Sequence, residues 1–477
     1  MKTNFSVEPI SAVTFARLCG GELRDGEYGA PSIKGICTDS READENVVFA
    51  AIRGERQDGH DFIESAIANG CRCILCEHSC EAIVKNKVSA IVVTDVSLAL
   101  CRMANTFKSY LSSRMVAVTG SVGKTTTKDL IYSVLSVKEP VFRTPGNHNS
   151  LIGMPMSMIE IPSDSQWAVL EMGMSNFGEI ERLSITAEPE IAVITNIGTA
   201  HLEFLGSREN IRRAKLEVLS GLKTGGTLIL SGDEPLLANI RGKSYNTLYA
   251  SIEREDADFY AKNITVDLKE LGMRFDIVHD GKVTKGLFIH LLGRHNVYAG
   301  LYAFAVGILA GLDEEEIRYG LAKYRTEGMR QNVYDYKGVT MIEDCYNASP
   351  ESMIAALDVL EICSEGRTGR SIAVLGDMLE LGNDSPELHR LVGGNLVDMH
   401  IDQLYTVGQG GYQIGVGARQ KGMSSRAIHD NRDRSDLKKT ANDLVKHVKP
   451  GDVILFKASR AVGAEQIIDY VKEHLSF

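Results

Sequence analysis

Short apolar runs, each ending in glycine or a polar residue, recur along the chain and divide it into three sections. In the first, residues 1–113, "ISAVTFARLCG" and "FIESAIANG" carry helical spacing and stop at glycine, the residue that best closes a helix. "CRCILC" and "AIVVT" are compact β-rich runs. In the second, residues 114–328, "MVAVTG", "WAVLEMG", "IAVITNIG" and "GTLILSGD" predict buried strands that exit into Gly, Asn, Asp or Glu. "KTTTKDLIYSVLSV" follows the first of them and places Leu130, Ile131, Val134 and Leu135 on one helical face. Strands alternating with helices predict a mostly parallel α/β sheet, which binds ligands at the carboxyl ends of its strands.

The third section, residues 329–477, repeats the pattern as a Rossmann-like α/β unit. "TMIEDCYNASPESMIAALDVL" reads strand, polar loop, helix, with Ser349 as N-cap and Pro350 as first helical residue. "SIAVLGDMLELG", "QLYTVGQGG" and "DVILFKASRAVGAEQIIDYV" are further strands leading into polar or glycine loops. The polar join "YRTEGMRQNVYDYKG" is a candidate hinge between the second and third sections.

Composition adds limits. A chain of 477 residues suggests about three domains, and 44% hydrophobic residues lets each bury a core. The net charge of −11 argues against a nucleic-acid partner, so an anionic substrate must be held by local Lys, Arg or metal. "MKTNFSVEPISAVTF" has no apolar signal core, and the longest apolar run, "YAFAVGILAGL", is too short for a bilayer. The expectation is a soluble cytoplasmic protein with no membrane partner, working as a monomer. Nine cysteines without a signal read as free thiols. Cys71, Cys73, Cys76, His78 and Cys80 have the look of a zinc knuckle, but no second ligand couple lies nearby. A short buried strand is the expectation there.

The chemistry starts at "VTGSVGKTTT". It has the Gly-Lys-Thr of a phosphate-binding loop, but Val118 stands where the usual spacing has its first glycine. Thr119, Gly120, Ser121, Val122, Gly123 and Thr126 would wrap a polyphosphate with backbone amides at a helix N-terminus. Lys124 would bind phosphate oxygens, and Thr125 is the expected hydroxyl ligand to magnesium. Such a loop alone names no reaction. Glu171, at the tip of a buried strand, suggests metal or a partner. His201 after a strand and Lys215 on a helix each have ordinary structural explanations when taken singly.

Together these stretches resemble the Mur ligase family of peptidoglycan synthesis. "TGSVGKTTT" resembles its shortened loop, "TPGNHNSLIGMP" its substrate loop, "LEMGM" its metal carboxylate and "TNIGTAHLEFLGS" its metal histidine. "RRAKLEVLSG" resembles the segment bearing a lysine that becomes carbamylated, and "GRHN" and "EDCYNASPESM" its adenine and ribose contacts. "TDSREADENVVFAAIRGERQDGHDF" looks like a uridine-diphosphate-binding domain, while "LGDMLELG" and "YNASPESM" look like the branch that adds D-alanyl-D-alanine.

The resemblance implies ATP-driven amide-bond formation: a carboxylate of UDP-N-acetylmuramoyl-tripeptide becomes an acyl phosphate, and the amine of D-alanyl-D-alanine displaces phosphate. It implies two magnesium ions, one held by Thr125 and Glu171, the other by Glu171, His201 and carbamylated Lys215. Lys124 would stabilise the transferring phosphoryl group. His295, Asn296, Arg330 and Asp344 would contact the nucleotide, and Ser40 and Arg41 the uridine-diphosphate sugar. Asn147, Asn149 and Ser150 would lie near the sugar-peptide. Tyr346, Asn347, Lys457, Ser459 and Arg460 are candidates for the peptide and dipeptide end. Ser150, Ala299, Glu343, Ser349 and Ala458 depart from the family's usual residues, all outside the Lys124, Glu171, His201, Lys215 set. The diamino-acid-adding branch is the near alternative, but its "DNPR"-like motif is missing. Folylpolyglutamate synthase lacks the first domain type. A phosphate-loop switch without ligase activity leaves Lys215 unexplained.

Overall fold

The computed structural model describes residues 1–24, 26, 32–54 and 57–476. Glu55 and Arg56, inside the stretch resembling a uridine-diphosphate-binding domain, lie outside the described residues. Three sheets follow one another along the chain. In the first, Gly35–Cys37, Val47–Ala50, Cys73–Cys76 and Ser89–Val92 pair in parallel. Lys2–Asn4 and Glu22–Arg24 close its edges antiparallel. Cys73–Cys76 is the buried strand expected from the sequence, and all nine cysteines are free thiols. Burial pushes the Cys73 thiol well up, which keeps it protonated and inert.

The central sheet has nine strands. Val141–Arg143, Trp167–Glu171, Arg114–Thr119, Ile191–Ile194, Thr227–Ser231 and Asn246–Ser251 run parallel in that order. Phe259–Asp267 joins them in parallel and then folds back through Gly272–His279 and Lys282–Ile289 as an antiparallel meander. The parallel strands are apolar on both faces because helices cover both. Helix Lys124–Leu135 buries Leu130, Ile131, Val134 and Leu135 completely, as its spacing predicts. It packs against Val297–Ala310, a helix apolar on nearly all sides and therefore interior.

The third sheet runs Asn332–Tyr336, Val339–Glu343, Val453–Lys457, Ser371–Gly376, Gln403–Val407, Ile428–Asn431, parallel except for the first pair. Ser349 caps helix Pro350–Ser364 by accepting the Ser352 amide, and Pro350 opens it, as the sequence predicts. Among the described residues no helix is long and apolar enough to cross a membrane.

Candidate functional site

The carboxyl ends of the central strands face those of the third sheet, and a cavity of about 620 Å³ lies between them. The turn after Arg114–Thr119 forms its floor. Gly120 sits at φ 144°, and a Cβ there would fall 1.8 Å from Thr195 Oγ1. Gly123, at φ 83°, is the left-handed residue that opens helix Lys124–Leu135. Glycine at these two points lets the loop curl tightly and aim its amides inward. The loop is tied to the next strand exit. Val122 N donates to Asn196 Oδ1 at 3.0 Å, Thr195 Oγ1 donates to Val122 O at 2.6 Å, and Gly198 N donates to Ser121 Oγ at 2.9 Å. Lys124 folds back over the loop and donates to Gly120 O at 2.9 Å. Desolvation draws its ammonium down in pKa, against the pull of Glu171.

Glu171 ends its strand 1% exposed. Its Oε2 accepts Thr125 Oγ1 at 2.8 Å, and its Oε1 accepts Asn149 Nδ2 at 2.7 Å. Lys128, equally buried, stands 3.6 Å from the same carboxylate and donates to Thr144 O and Gly146 O. It thereby balances Glu171 and fixes the loop carrying Asn147, Asn149 and Ser150, which reach the cavity. The motif reading missed Lys128, because a lysine one turn into a helix looks like a solvated position.

His201 lines the cavity from a left-handed backbone at φ 65°, uncommon for a residue with a side chain. Its Nδ1 lies 2.7 Å from Glu380 Oε2. The ring nitrogen is not aligned on that oxygen, so Nδ1 has a carboxylate close by without a formed hydrogen bond. Lys215 is 1% exposed in the last turn of helix Arg208–Leu216. It does not line the cavity, and among the described residues its ammonium has no hydrogen-bond or ion-pair partner. Desolvation, with Lys124 adding to it, brings its pKa well below the usual value.

Opposite, the third sheet contributes Arg330, Asp344, Tyr346, Asn347 and Lys457 to the wall. Lys457 Nζ donates to Asp344 Oδ2 at 2.6 Å and to Asn347 O at 3.1 Å, so its protons serve the loop that carries them. The Arg330 guanidinium stacks 3.8 Å over the Tyr346 ring. His295 and Asn296 line the cavity beside Gln331. Gln331 brackets the Leu292 backbone, accepting its N–H at 3.0 Å and donating to its carbonyl at 2.8 Å. His295 opens onto the cavity with protein on its other sides. Although it is exposed there, desolvation against the surrounding protein, helped by Lys457, draws its imidazole below the usual value.

Thr119 and Gly120 lie just behind the cavity wall, and Thr119 is fully buried. Ser459 and Arg460 also stand behind it. Ser459 Oγ accepts the Leu379 amide, while Arg460 touches Met329 and Glu465. Ser40 and Arg41 are in the first sheet's region, away from the cavity lining. Ser40 is buried in a short turn, and Arg41 extends into solvent beside Asp39. Asp233 and Tyr298, which share a hydrogen bond at the cavity's far end, went unread in the sequence.

The cavity offers oxygen donors at Thr125 and Glu171, the set a hard divalent cation prefers. Among the described residues no group of three or more His, Cys, Asp or Glu is disposed as a ready metal cluster. A metal here would need phosphate oxygens, a hydroxyl or a modified lysine to complete its shell.

Residues 32–108 match the Mur ligase family catalytic domain, residues 118–307 the Mur ligase middle domain, and residues 329–460 the Mur ligase glutamate ligase domain. The chain is 39% identical to a Bacillus subtilis (strain 168) protein called UDP-N-acetylmuramoyl-tripeptide–D-alanyl-D-alanine ligase, over 97% of this chain and 98% of that one. A crystal structure of MurF from Acinetobacter baumannii superposes with a TM-score of 0.86 at 30% identity, covering 98% of this chain and 100% of that one. MurF ligase from Thermotoga maritima, in complex with ADP, superposes with a TM-score of 0.80 at 32% identity, over 92% and 97% of the two chains.

Proposed function

The chain belongs to the Mur ligase family, and we propose that it joins D-alanyl-D-alanine to UDP-N-acetylmuramoyl-tripeptide, converting ATP to ADP and phosphate, in the cytoplasmic stage of peptidoglycan synthesis. One observation carries this reading. A phosphate loop and a buried carboxylate–hydroxyl pair meet in the cavity where two sheets face each other, and behind it lies Lys215, buried, within reach of the Lys124 charge and without a partner among the described residues.

A carboxylate is a poor acyl donor until one of its oxygens becomes a good leaving group. Its attack on the γ-phosphorus brings two anions together, so cations must stand between them. Magnesium ions, when bound, would supply most of that charge. Thr125 and Glu171 would hold one through oxygen atoms already 2.8 Å apart. Glu171, His201 and Lys215 would hold the second, with Lys215 carbamylated. The depressed basicity of Lys215 suits this step, since only the neutral amine attacks CO2, giving a carbamate and releasing one proton. Lys124 would leave Gly120 O for the γ-phosphate. His295 and Asn296 would meet the adenine, and Arg330 and Asp344 would reach the nucleotide from across the cavity. Closing the two sheets over ATP would keep water from the acyl phosphate.

Residues 1–113, 114–328 and 329–477 would then act as the UDP-sugar, ATP and dipeptide domains of a monomer. Ser40 and Arg41 would contact the UDP-sugar. Asn147, Asn149 and Ser150 would lie along the sugar-peptide, with Tyr346, Asn347, Lys457, Ser459 and Arg460 toward the dipeptide. The test is phosphate release with magnesium, ATP and UDP-N-acetylmuramoyl-tripeptide. Release should depend on D-alanyl-D-alanine. Release that ignores the dipeptide, or that follows a free diamino acid instead, overturns the assignment.

A further inference from the structure

The segment from Asn196 to Glu203 is held from two sides. On one side it is bonded to the phosphate loop, through Ser121 N to Asn196 O at 3.2 Å and Gly198 N to Ser121 Oγ at 2.9 Å. On the other it is gripped by two acidic residues of the third sheet's loops. Glu351, in the first turn of helix Pro350–Ser364, accepts Thr199 N at 2.9 Å and Thr199 Oγ1 at 3.2 Å. Its carboxylate takes the space a side chain at Gly198 would need, since a Cβ there would lie 2.9–3.1 Å from the carboxylate atoms. Glu380, in the loop after Ser371–Gly376, sets its carboxylate against His201 Nδ1 and accepts Glu203 N through its own carbonyl at 3.1 Å. His201 and Glu380 are both left-handed, at φ 65° and 63°. Two side-chain-bearing residues in that conformation, meeting across a gap between sheets, mark a contact that surrounding structure imposes on both.

We infer that Glu351 and Glu380 form a latch that sets the His201 segment only when the third sheet's unit is closed on the central one. They are positioning residues for the ligase reaction. The inference rests on the role proposed above for His201. A carboxylate on one ring nitrogen orients a histidine and leaves the other nitrogen for a ligand, and among the described residues Nε2 takes part in no hydrogen bond or ion pair. Both carboxylates come from more than 150 residues away along the chain. Opening the gap would therefore remove the Thr199 anchor and the Nδ1 partner together. Glu380 is 46% exposed, so its part is to orient the ring and adds little to stability. The phosphate loop, the His201 segment and the closing unit thus form one physical chain. That chain makes the coupling measurable.

The test uses the full chain. Glu351→Ala and Glu380→Ala should each lower kcat about 10- to 100-fold, with the KM for ATP moving less than about threefold and the melting temperature nearly unchanged. Glu351→Gln keeps an acceptor for Thr199 N and should keep most of the activity. A cycle of Glu351→Ala with Thr199→Val should be non-additive, the double variant being no worse than Glu351→Ala alone. X-ray scattering in magnesium and ADP gives a readout separate from turnover. The Glu351→Ala, Glu380→Ala double variant should have a larger radius of gyration than the parent. Parent-like kcat and scattering in that double variant overturn the latch, as does a Glu351→Gln variant as impaired as Glu351→Ala. Should Glu351→Ala not fold, Glu380→Ala alone reads the other arm of the latch, and an unchanged kcat there overturns it. His201→Ala separates the two ideas. If that variant keeps full activity, the metal role of His201 fails while the scattering still reports on the latch.

Discussion

The two halves of the site, one in the cavity floor and the other partly behind the cavity wall, solve opposite problems. Around Glu171 every strong group has a partner. Thr125 and Asn149 donate to the carboxylate, and Lys128 balances its charge while bracing the neighbouring loop. Around Lys215 and His201 the groups are left wanting. Lys215 is buried without a partner among the described residues, and His201 has a misaligned carboxylate supplied from another sheet. A buried, satisfied network rigidifies a site, whereas a buried cation with no partner is destabilising in the free protein. The first half is therefore built by folding, and in the function proposed above the second is completed by ligands.

Replacing a residue in each half should abolish activity alike while moving stability in opposite directions. Glu171→Ala should lower kcat by about 1,000-fold or more, since a proposed ligand for both cations is lost. It should also cost about 2–4 kcal/mol in urea unfolding, because Thr125 and Asn149 lose their acceptor and Lys128 loses a charge partner. Lys215→Met should lower kcat about 100- to 1,000-fold, yet stabilise the free protein by about 1–3 kcal/mol, because an uncompensated charge is replaced by an apolar chain of similar length. Equal stability changes of one sign would erase the contrast.

The Lys215 half also carries a pH signature. Its folded-state pKa lies well below the unfolded value, which is about 10.4. Below the folded value both states are protonated, and the burial penalty is felt in full. As pH climbs from there toward about 10.4, the unfolded state binds the extra proton, so the parent gains stability. The Lys215→Met advantage should thus be largest at the low end and shrink as pH rises, in buffer stripped of CO2. An advantage that grows with pH would show that Lys215 is charged and paired.

Much of the first half was legible in the sequence because its signals are local. Strand, glycine turn and helix lie within about twenty residues at positions 114–135, and the polar strand tip at Glu171 sits in an apolar run. The three α/β sheets and the Ser349 cap followed from the same kind of signal. The antiparallel meander of residues 259–289 was not read, since its strands alternate weakly and carry many charges. Lys128 was missed because its acceptors, Thr144 and Gly146, are supplied by a loop beyond its helix. Glu351 and Glu380 were missed for a stronger version of that reason. Their partners, Thr199 and His201, belong to a different sheet, and no periodicity links positions so far apart.

Lys128→Met measures how much of the first half's order depends on one cation. The ammonium holds two backbone carbonyls and faces Glu171 and Asp129 at 3.6 and 3.5 Å. Its loss should cost about 1–3 kcal/mol and lower kcat about tenfold through the loosened Asn149 loop. A variant with parent stability would mean that the loop holds itself.

The smallest effect belongs to the wall proposed to close over the nucleotide. Arg330 lies flat on Tyr346 at 3.8 Å, and both side chains are partly exposed. A cation–π contact of that kind contributes about 0.5–1 kcal/mol. Tyr346→Leu keeps apolar bulk but removes the ring face, so Arg330 loses its platform without leaving a charge buried. If the stack serves to aim Arg330 at ATP, the KM for ATP should rise about two- to fivefold, the equivalent of that energy, with kcat nearly unchanged. The affinity for ADP, read by calorimetry, should weaken by the same factor. A fall in kcat at constant KM would instead place Tyr346 at the reacting end of the cavity. It would then belong with His201, whose geometry we propose is set when the site closes.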